Sequence, residues 1–204
     1  NAEVLGIYGQ NGSGKTAVVD TLYYLQHIMN GNELSADLVD YIDASSDNAE
    51  IVAEFNVFKA DSVYEVAYYL KLKKEKGTVI IEREALSCAI NQDGKRTNKI
   101  PFMDYQKDSD SIFKPIKRLE DLVGKNKEAK MDLIVAKKFA EKSNCSYIFG
   151  EANREIYLKK ADSRFKEYAL LINVLFNFAV KDLFVIRNSH SGVISANLIL
   201  PMAF

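Results

Sequence analysis

Residues 4–16 of this 204-residue chain read VLGIYGQNGSGKT. A short β-type run ends at Tyr8, and a loop that fits the pattern GxxxxGK[ST] follows it. The loop leads into residues 15–30, an apolar-periodic segment without glycine or proline, and Gly31 marks its end. This succession of strand, loop and helix predicts a site for phosphate groups between the first strand and the first helix. Val18, Leu22, Leu25 and Met29 are expected on one face of that helix.

Each part of the loop has a physical task in phosphate binding. Glycines let successive backbone N–H groups point into one concavity, and the positive end of the following helix adds to their attraction for anions. The ammonium group of Lys15 can reach the β- and γ-phosphates and is the predicted catalytic group, while the hydroxyl of Thr16 is placed to bind Mg²⁺. The predicted nucleotide-binding residues are Gly9, Gln10, Asn11, Gly12, Ser13, Gly14, Lys15, Thr16 and Ala17.

The composition is that of a folded protein. Hydrophobic residues make up 48% and charged residues 27% of the chain, which excludes a disordered or collagen-like protein. The net charge of −1 gives no overall positive field directed at nucleic acid, although it leaves a local basic surface open. Cys88 and Cys145 are too few for a disulfide scaffold, and no apolar run is long enough for a membrane helix. We therefore expect a cytoplasmic protein with reduced thiols.

Beyond Gly31 the hydrophobic period changes from helical to β-type. Apolar and polar residues alternate in three consecutive stretches, which predicts half-buried antiparallel strands. These stretches are residues 51–57, 64–72 and 79–86. Hairpin turns are expected at Asp61–Ser62, Lys76–Gly77 and Asp93–Gly94. Tyr64 and Tyr68 are predicted to pack on the core face rather than to stack on nucleic-acid bases.

The second half of the chain is predicted to be mostly helical. One helical segment begins at Pro115 and ends at Gly124. The next covers residues 127–142, with a predicted apolar face that consists of Met131, Ile134, Val135 and Phe139. Its lysines are expected mostly on a solvated face; they are Lys130, Lys137, Lys138 and Lys142.

The longest predicted helix spans residues 162–180, with Asp162 or Ser163 as its cap. Its expected core residues are Phe165, Tyr168, Leu171, Leu175 and Phe178. Short strands are predicted at residues 183–186 and 192–200.

Together these elements predict an α/β fold in a single lobe, residues 1–204. Residues 3–48 carry the loop strand and its helix, residues 49–100 form an antiparallel β-lobe, and residues 101–204 form a helical and terminal β part. The chain begins with Asn1 and Ala2 instead of methionine, and we expect it to be truncated at both ends.

The loop from Gly9 to Thr16, followed by a helix and an antiparallel β-meander, resembles the ABC-type ATPase heads of the SMC, RecF and OLD kind. It is most similar to the bacterial AAA-family ATP-binding proteins grouped with abortive-infection and OLD nucleases. The likeness is specific in the loop and looser over residues 49–96 and 182–201. The resemblance implies a P-loop NTPase lobe in which ATP and Mg²⁺ lie between the two heads of a homodimer. Binding and hydrolysis would then drive opening and closing in DNA-linked or phage-defence machinery.

The sequence departs from this family at the second acidic motif, in which four apolar residues precede the acids that hold Mg²⁺ and polarise water. The best apolar run, residues 183–186, ends in Arg187, and Asp40 and Asp43 each follow only two apolar residues. The serine-glycine signature of such heads is not recognisable either. Three glutamines are equal candidates for sensing Mg²⁺, namely Gln26, Gln92 and Gln106. We expect the isolated chain to bind nucleotide weakly and to hydrolyse it poorly.

Other catalytic arrangements are weak. His27 and His190 have no metal-ligand spacing to cysteine or acid, and residues 189–191 are better explained as a polar turn than as a nucleophile pair. Three functions stay open: the ABC-type ATPase lobe, a small-molecule or nucleotide kinase, and a non-catalytic nucleotide-sensing module. Whether the chain is an enzyme by itself also stays open.

Overall fold

A computed structural model describes residues 8–10, 12, 14–109, 123–160, 165–188 and 194–196. In chain order these residues form a helix, a five-stranded antiparallel sheet, three further helices and a short hairpin. The architecture is therefore mixed α/β, as the hydrophobic periods predict. The loop strand expected before Gly9 lies outside the described residues, apart from Tyr8.

Helix α1 spans Lys15–Met29 and ends where the sequence predicts. The backbone N–H of Gly31 donates to the carbonyl of Ile28 (2.9 Å), and that of Asn32 donates to His27 (3.3 Å). Gly31 adopts a φ of 72°, so this pair of bonds is a Schellman ending with glycine in the left-handed position. The conformation of Gly31 therefore sets the direction in which the chain leaves α1.

Only the C-terminal half of α1 is buried. Leu25 and Met29 pack in the core as predicted, but Val18 and Leu22 are exposed. The expectation of one apolar face along the whole helix is wrong for these two residues, because the described sheet and helices cover only the last turns of α1. A 3₁₀ helix at Ala36–Tyr41 follows, and the Tyr24 hydroxyl donates to the Leu38 carbonyl.

The sheet is a meander whose strands pair in the antiparallel sense. Its strands are β1 (Asn48–Lys59), β2 (Ser62–Glu75), β3 (Thr78–Gln92), β4 (Lys95–Arg96) and β5 (Ile100–Gln106). The order is β1-β2-β3, and both β4 and β5 pair with β3. This confirms the predicted antiparallel β-lobe.

The hairpin turns show why the register is well defined. Both residues of Lys76–Gly77 and of Asp93–Gly94 have positive φ values, 51° and 80° in the first turn and 50° and 73° in the second. Such turns match the right-handed twist of the strands, which confirms the two turn predictions. The turn predicted at Asp61–Ser62 lies one residue earlier, because Ala60 takes the positive φ and Ser62 already belongs to β2.

A β-bulge divides β3 into two phases. Lys71 pairs with Arg83 and Leu72 with Ile81, so β3 has one extra residue at Glu82. Val79 and Ile81 face the core before the bulge, and Glu84, Leu86 and Cys88 face it afterwards. The bulge therefore directs a carboxylate into the interior.

Three helices follow the sheet in the described part of the chain, and they contribute side chains to the same hydrophobic core. They are α2 (Lys127–Ser143), α3 (Glu151–Lys160) and α4 (Lys166–Asn177), and a π-helical turn at Phe178–Asp182 extends α4. A two-stranded hairpin follows, in which β6 (Ile186–Asn188) pairs with β7 (Ile194–Ala196). The helix predicted from Pro115 lies almost entirely outside the described residues. No described helix is long and apolar enough to cross a membrane.

The predicted apolar face of α2 is wrong. Met131 and Phe139 are 60% and 63% exposed. The face that packs in the core consists instead of Ala129, Leu133, Ala136, Lys137 and Ala140. Small side chains let α2 approach its neighbours closely, whereas Val135 and Phe139 line an open cavity of about 350 Å³ between α2 and α3. Lys137, predicted on the solvated side, is buried and donates to the carbonyl of Ser109 (3.0 Å).

The prediction for the longest helix is largely confirmed over the residues that the structure describes. The described helix starts at Lys166, and both predicted caps lie outside the described residues. Phe165, Leu171 and Leu175 are buried in the core. Aromatic pairs join this helix to the sheet, since the Tyr168 ring stacks on Phe102 with centroids 4.6 Å apart. Of the predicted strand 183–186, only Ile186 is in a strand.

Tyr64 and Tyr68 face the core, as predicted. Tyr68 is fully buried, and its ring meets Phe149 edge-on at 5.3 Å between centroids. Neither tyrosine is available for stacking on a nucleic-acid base.

Candidate phosphate-binding site

The glycine-rich loop leads directly into α1. Gly12 and Gly14 have φ values of 83° and 84°, and a Cβ at either position would meet no atom within 4 Å. Glycine is needed here because an L-side chain rarely adopts this conformation, not because space is short. Gly14 is the N-cap of α1, and its carbonyl accepts from the N–H of Val18 (3.3 Å). Asn11 and Ser13 lie outside the described residues.

Lys15 bends back over the loop. Its Nζ donates to the carbonyl oxygens of Gly9 (2.7 Å) and Gln10 (2.6 Å). These bonds close the loop around the side chain and hold a positive charge above it. The ammonium group and the first N–H groups of α1 are the two features next to the loop that attract an anion.

The first turn of α1 contains no acidic residue, and Gly14 offers no side chain to cap it. Thr16 and Ala17, both predicted to bind the nucleotide, are exposed in that turn. The N–H groups at the start of a helix lack intrahelical acceptors, so phosphate oxygens can take that role. The Thr16 hydroxyl and phosphate oxygens are the kind of hard oxygen ligands that Mg²⁺ prefers. No group of three or more histidine, cysteine or acidic residues gathers in the described part of the chain.

The far end of α1 rests on the segment 144–150. The backbone N–H of Leu34 donates to the carbonyl of Asn144 (3.0 Å). A Cβ on Gly31 would lie 3.0 Å from the carbonyl oxygen of Phe149, so the two backbones touch here. The position of α1, and with it the position of the loop, therefore depends on how this segment is held.

A buried carboxylate holds that segment to the sheet. Glu84 accepts hydrogen bonds from the hydroxyls of Tyr68 (2.9 Å) and Ser146 (2.9 Å) and from the N–H groups of Tyr147 and Ile148 (3.1 Å for Ile148). Four donors converge on one side chain that is fully buried. Burial raises the pKa of Glu84 above its ordinary value, and the donors act in the opposite direction.

Glu84 was not predicted from the sequence, although its position in the alternation pattern carried a signal. Glu84 occupies the same alternation phase as Leu86 and Cys88, which are buried. A charged residue in that phase indicates either a bulge or a buried polar network, and here both occur.

The two acidic candidates come after α1 in the chain. Asp40 lies in the 3₁₀ helix Ala36–Tyr41, which contacts Tyr24 of α1, and Asp43 follows that helix. Asp43 accepts from the N–H (2.7 Å) and hydroxyl (2.6 Å) of Ser45, and these bonds lower its pKa. The carboxylate of Asp43 is thus engaged in a local turn.

The three glutamine candidates are dispersed. Gln26, in the last part of α1, donates through Nε2 to the carbonyl of Leu183. Gln92 ends β3 opposite Lys95, while Gln106 ends β5 opposite Arg83. The structure therefore does not bring these glutamines together, and the Gln26 amide already donates a hydrogen bond within the protein.

His27 is the described member of the histidine and serine candidates. Its Nε2 lies 2.7 Å from the carbonyl oxygen of Glu33, a residue that follows the end of α1. Residues 189–191, with His190 among them, lie outside the described residues, as does the side chain of Arg187.

Comparisons with known proteins give no relative for this chain. No protein-family model, no curated protein and no solved structure matches it.

Proposed function

We propose that this chain is the ATP-binding lobe of an ABC-type or AAA-family ATPase. In this proposal, ATP binding and hydrolysis act as a conformational switch in DNA-linked or phage-defence machinery of the cytoplasm. The observation that carries the proposal is the loop itself, with left-handed glycines at 12 and 14 and the Lys15 ammonium group held at the carbonyls of Gly9 and Gln10, directly before α1. Phosphate groups suit this combination of a lysine and helix N–H groups.

Binding would replace contacts that the loop now makes with itself. The Nζ of Lys15 would exchange the neutral carbonyls of Gly9 and Gln10 for charged phosphate oxygens, and hydrogen bonds between charged groups are the stronger kind. Mg²⁺ with the Thr16 hydroxyl would neutralise phosphate charge during transfer.

Equilibrium titration of the chain with ATP in Mg²⁺ tests the proposal. Lys15→Ala removes the ammonium group and should weaken binding about 10- to 100-fold, because a hydrogen bond to a charged group contributes about 1.5–3 kcal/mol. Lys127→Ala is the matched control, since Lys127 is also a lysine at the first position of a helix. Its affinity should equal that of the unmodified chain. Equal affinity of the Lys15 variant, or no binding by any of the three, would refute the proposal.

A non-catalytic nucleotide sensor is the second candidate. The engagement of Asp43 with Ser45 favours it, because this carboxylate is already used in a turn. Phosphate release from saturating ATP separates the two functions. The sensor binds without release, and a chain that turns over about once per second or faster is a competent ATPase.

A further inference from the structure

Strand β1 forms one edge of the sheet. It pairs with β2 over its full length, Asn48–Lys59, and no other described strand pairs with its opposite side. Twelve extended residues span about 40 Å, which is long for an edge strand. A long edge of this kind offers a row of N–H and C=O groups to another strand.

Two large apolar side chains lie exposed on the outer face of this edge. Val52 is 63% exposed and Phe58 is 76% exposed, and they are six positions apart on the same face. Edge strands commonly carry charges that prevent pairing with another chain, so apolar residues at both positions are unusual.

Helix α4 places a second apolar stripe beside the same edge. Glu167 Oε1 lies 3.0 Å from Lys59 Nζ, and the Phe178 ring lies 5.8 Å from that of Phe55. Positions 170 and 174 fall between 167 and 178 on one helical stripe, at steps of three and four residues. The residues there are Leu170 and Val174, and both are exposed.

The sequence of β1 is complementary to itself in one antiparallel register. When Phe55 faces Phe55 of a second copy, each Val52 lies opposite the other Phe58, and each Glu54 lies opposite the other Asn56. Opposed residues lie on the same face of the sheet, so any alternative register must also place even-numbered residues opposite even-numbered residues. The neighbouring registers place Glu54 opposite Glu54 or opposite Phe58. Of these three registers, only the one centred on Phe55 places Val52 opposite Phe58 and Glu54 opposite an uncharged polar residue.

We propose that two copies of this chain associate through β1 in this register and form one continuous sheet across a two-fold axis. The interface is isologous, and the Leu170 and Val174 stripes of the two α4 helices lie on the same side of the joined sheets. This dimer is independent of the phosphate-binding loop and of ATP.

Sedimentation equilibrium without nucleotide, at about 100 μM chain, tests the association. The unmodified chain should have twice the 23.0 kDa mass of one copy. Val52→Lys places an ammonium group opposite Phe58 and should return the mass to 23.0 kDa. Ile100→Lys, an exposed apolar residue at the start of β5, is the matched control and should stay dimeric. Phe58→Lys repeats the test if circular dichroism shows that the Val52 variant is unfolded.

Cysteine cross-linking tests the register. The double variant Val52→Cys/Phe58→Cys should form covalent dimers, since opposed Cα atoms in an antiparallel pair lie within disulfide range at about 4.5–5.5 Å. Either single variant places its two new cysteines about 20 Å apart, at 3.3 Å per residue, and should not cross-link through them. A monomeric unmodified chain, a dimer unaffected by both lysine variants at β1, or equal cross-linking of a single variant would overturn the proposal.

Discussion

Of the interior contacts, those of the Glu84 carboxylate should lower the free energy of unfolding the most when they are lost. Glu84→Ala leaves four donors without their acceptor: the hydroxyls of Tyr68 and Ser146 and the N–H groups of Tyr147 and Ile148. All four lie in the protein interior, where water cannot replace the lost oxygen atoms without rearrangement. The segment that supports the far end of α1 would lose its attachment to β3.

The magnitude follows from the number of donors. A buried donor without a partner costs about 1–3 kcal/mol, so the lower value for each of four donors gives about 4 kcal/mol. This is a large part of the roughly 5–15 kcal/mol that stabilises a typical domain. The wild-type carboxylate itself bears a desolvation cost, which is why the lower value is the appropriate one.

Urea denaturation followed by far-UV circular dichroism measures this loss. Glu82→Ala is the matched control on the same strand, because the Glu82 side chain forms surface ion pairs with Lys71 (2.6 Å) and Lys73 (3.9 Å). Such pairs contribute about 0–1 kcal/mol. A decrease of less than about 1 kcal/mol in the free energy of unfolding of Glu84→Ala, or an equal decrease in the Glu82 variant, would contradict this role of Glu84.

Two further variants test other contacts. The hydrogen bond to Glu167 raises the pKa of Tyr64 to about 12, so its stabilisation is fully present below pH 10 and is lost as the pH rises through 12. The unfolding free energy of Tyr64→Phe should lack this decline, and an equal decline in both proteins would contradict the assignment. Gly31→Ala places a Cβ 3.0 Å from the Phe149 carbonyl at positive φ, and urea denaturation should show a loss of about 1–2 kcal/mol; an unchanged midpoint would contradict it.

The antiparallel meander could be predicted from the sequence because its signals are local. Strict alternation fixes which side chains face the core, and Asp93–Gly94 and Lys76–Gly77 supply the positive φ values that the turns need. The ending of α1 at Gly31 has the same origin, since one glycine completes the Schellman bonds.

The face of α2 could not be predicted in this way. Met131, Val135 and Phe139 are the larger apolar residues, yet the alanines at 129, 136 and 140 are buried. Periodicity identifies an apolar stripe but not how closely a neighbouring helix must approach, and close approach favours small side chains. The choice between two stripes on one helix is made by tertiary packing.

Of the candidate site, only the part that is contiguous in sequence could be predicted. The loop, Lys15 and the first turn of α1 are contiguous in sequence, so one motif identifies them together. The acids and glutamines that would complete the chemistry come from distant segments, and Asp43 and Gln26 turn out to be bound within the fold. Glu84 was not predicted because its burial depends on a bulge at Glu82.

The most direct test of the account is an amide chemical-shift titration of the ¹⁵N-labelled chain with ATP and Mg²⁺. If the loop binds phosphate, the N–H resonances of Gly12, Gly14, Lys15 and Thr16 should shift together and saturably. Those of the turn at Asp93–Gly94, which also has positive φ values but joins two strands instead of leading into a helix, should stay unchanged. Shifts confined to other parts of the chain, or no saturable shift at the loop, would contradict the claim that this loop binds the phosphates of ATP.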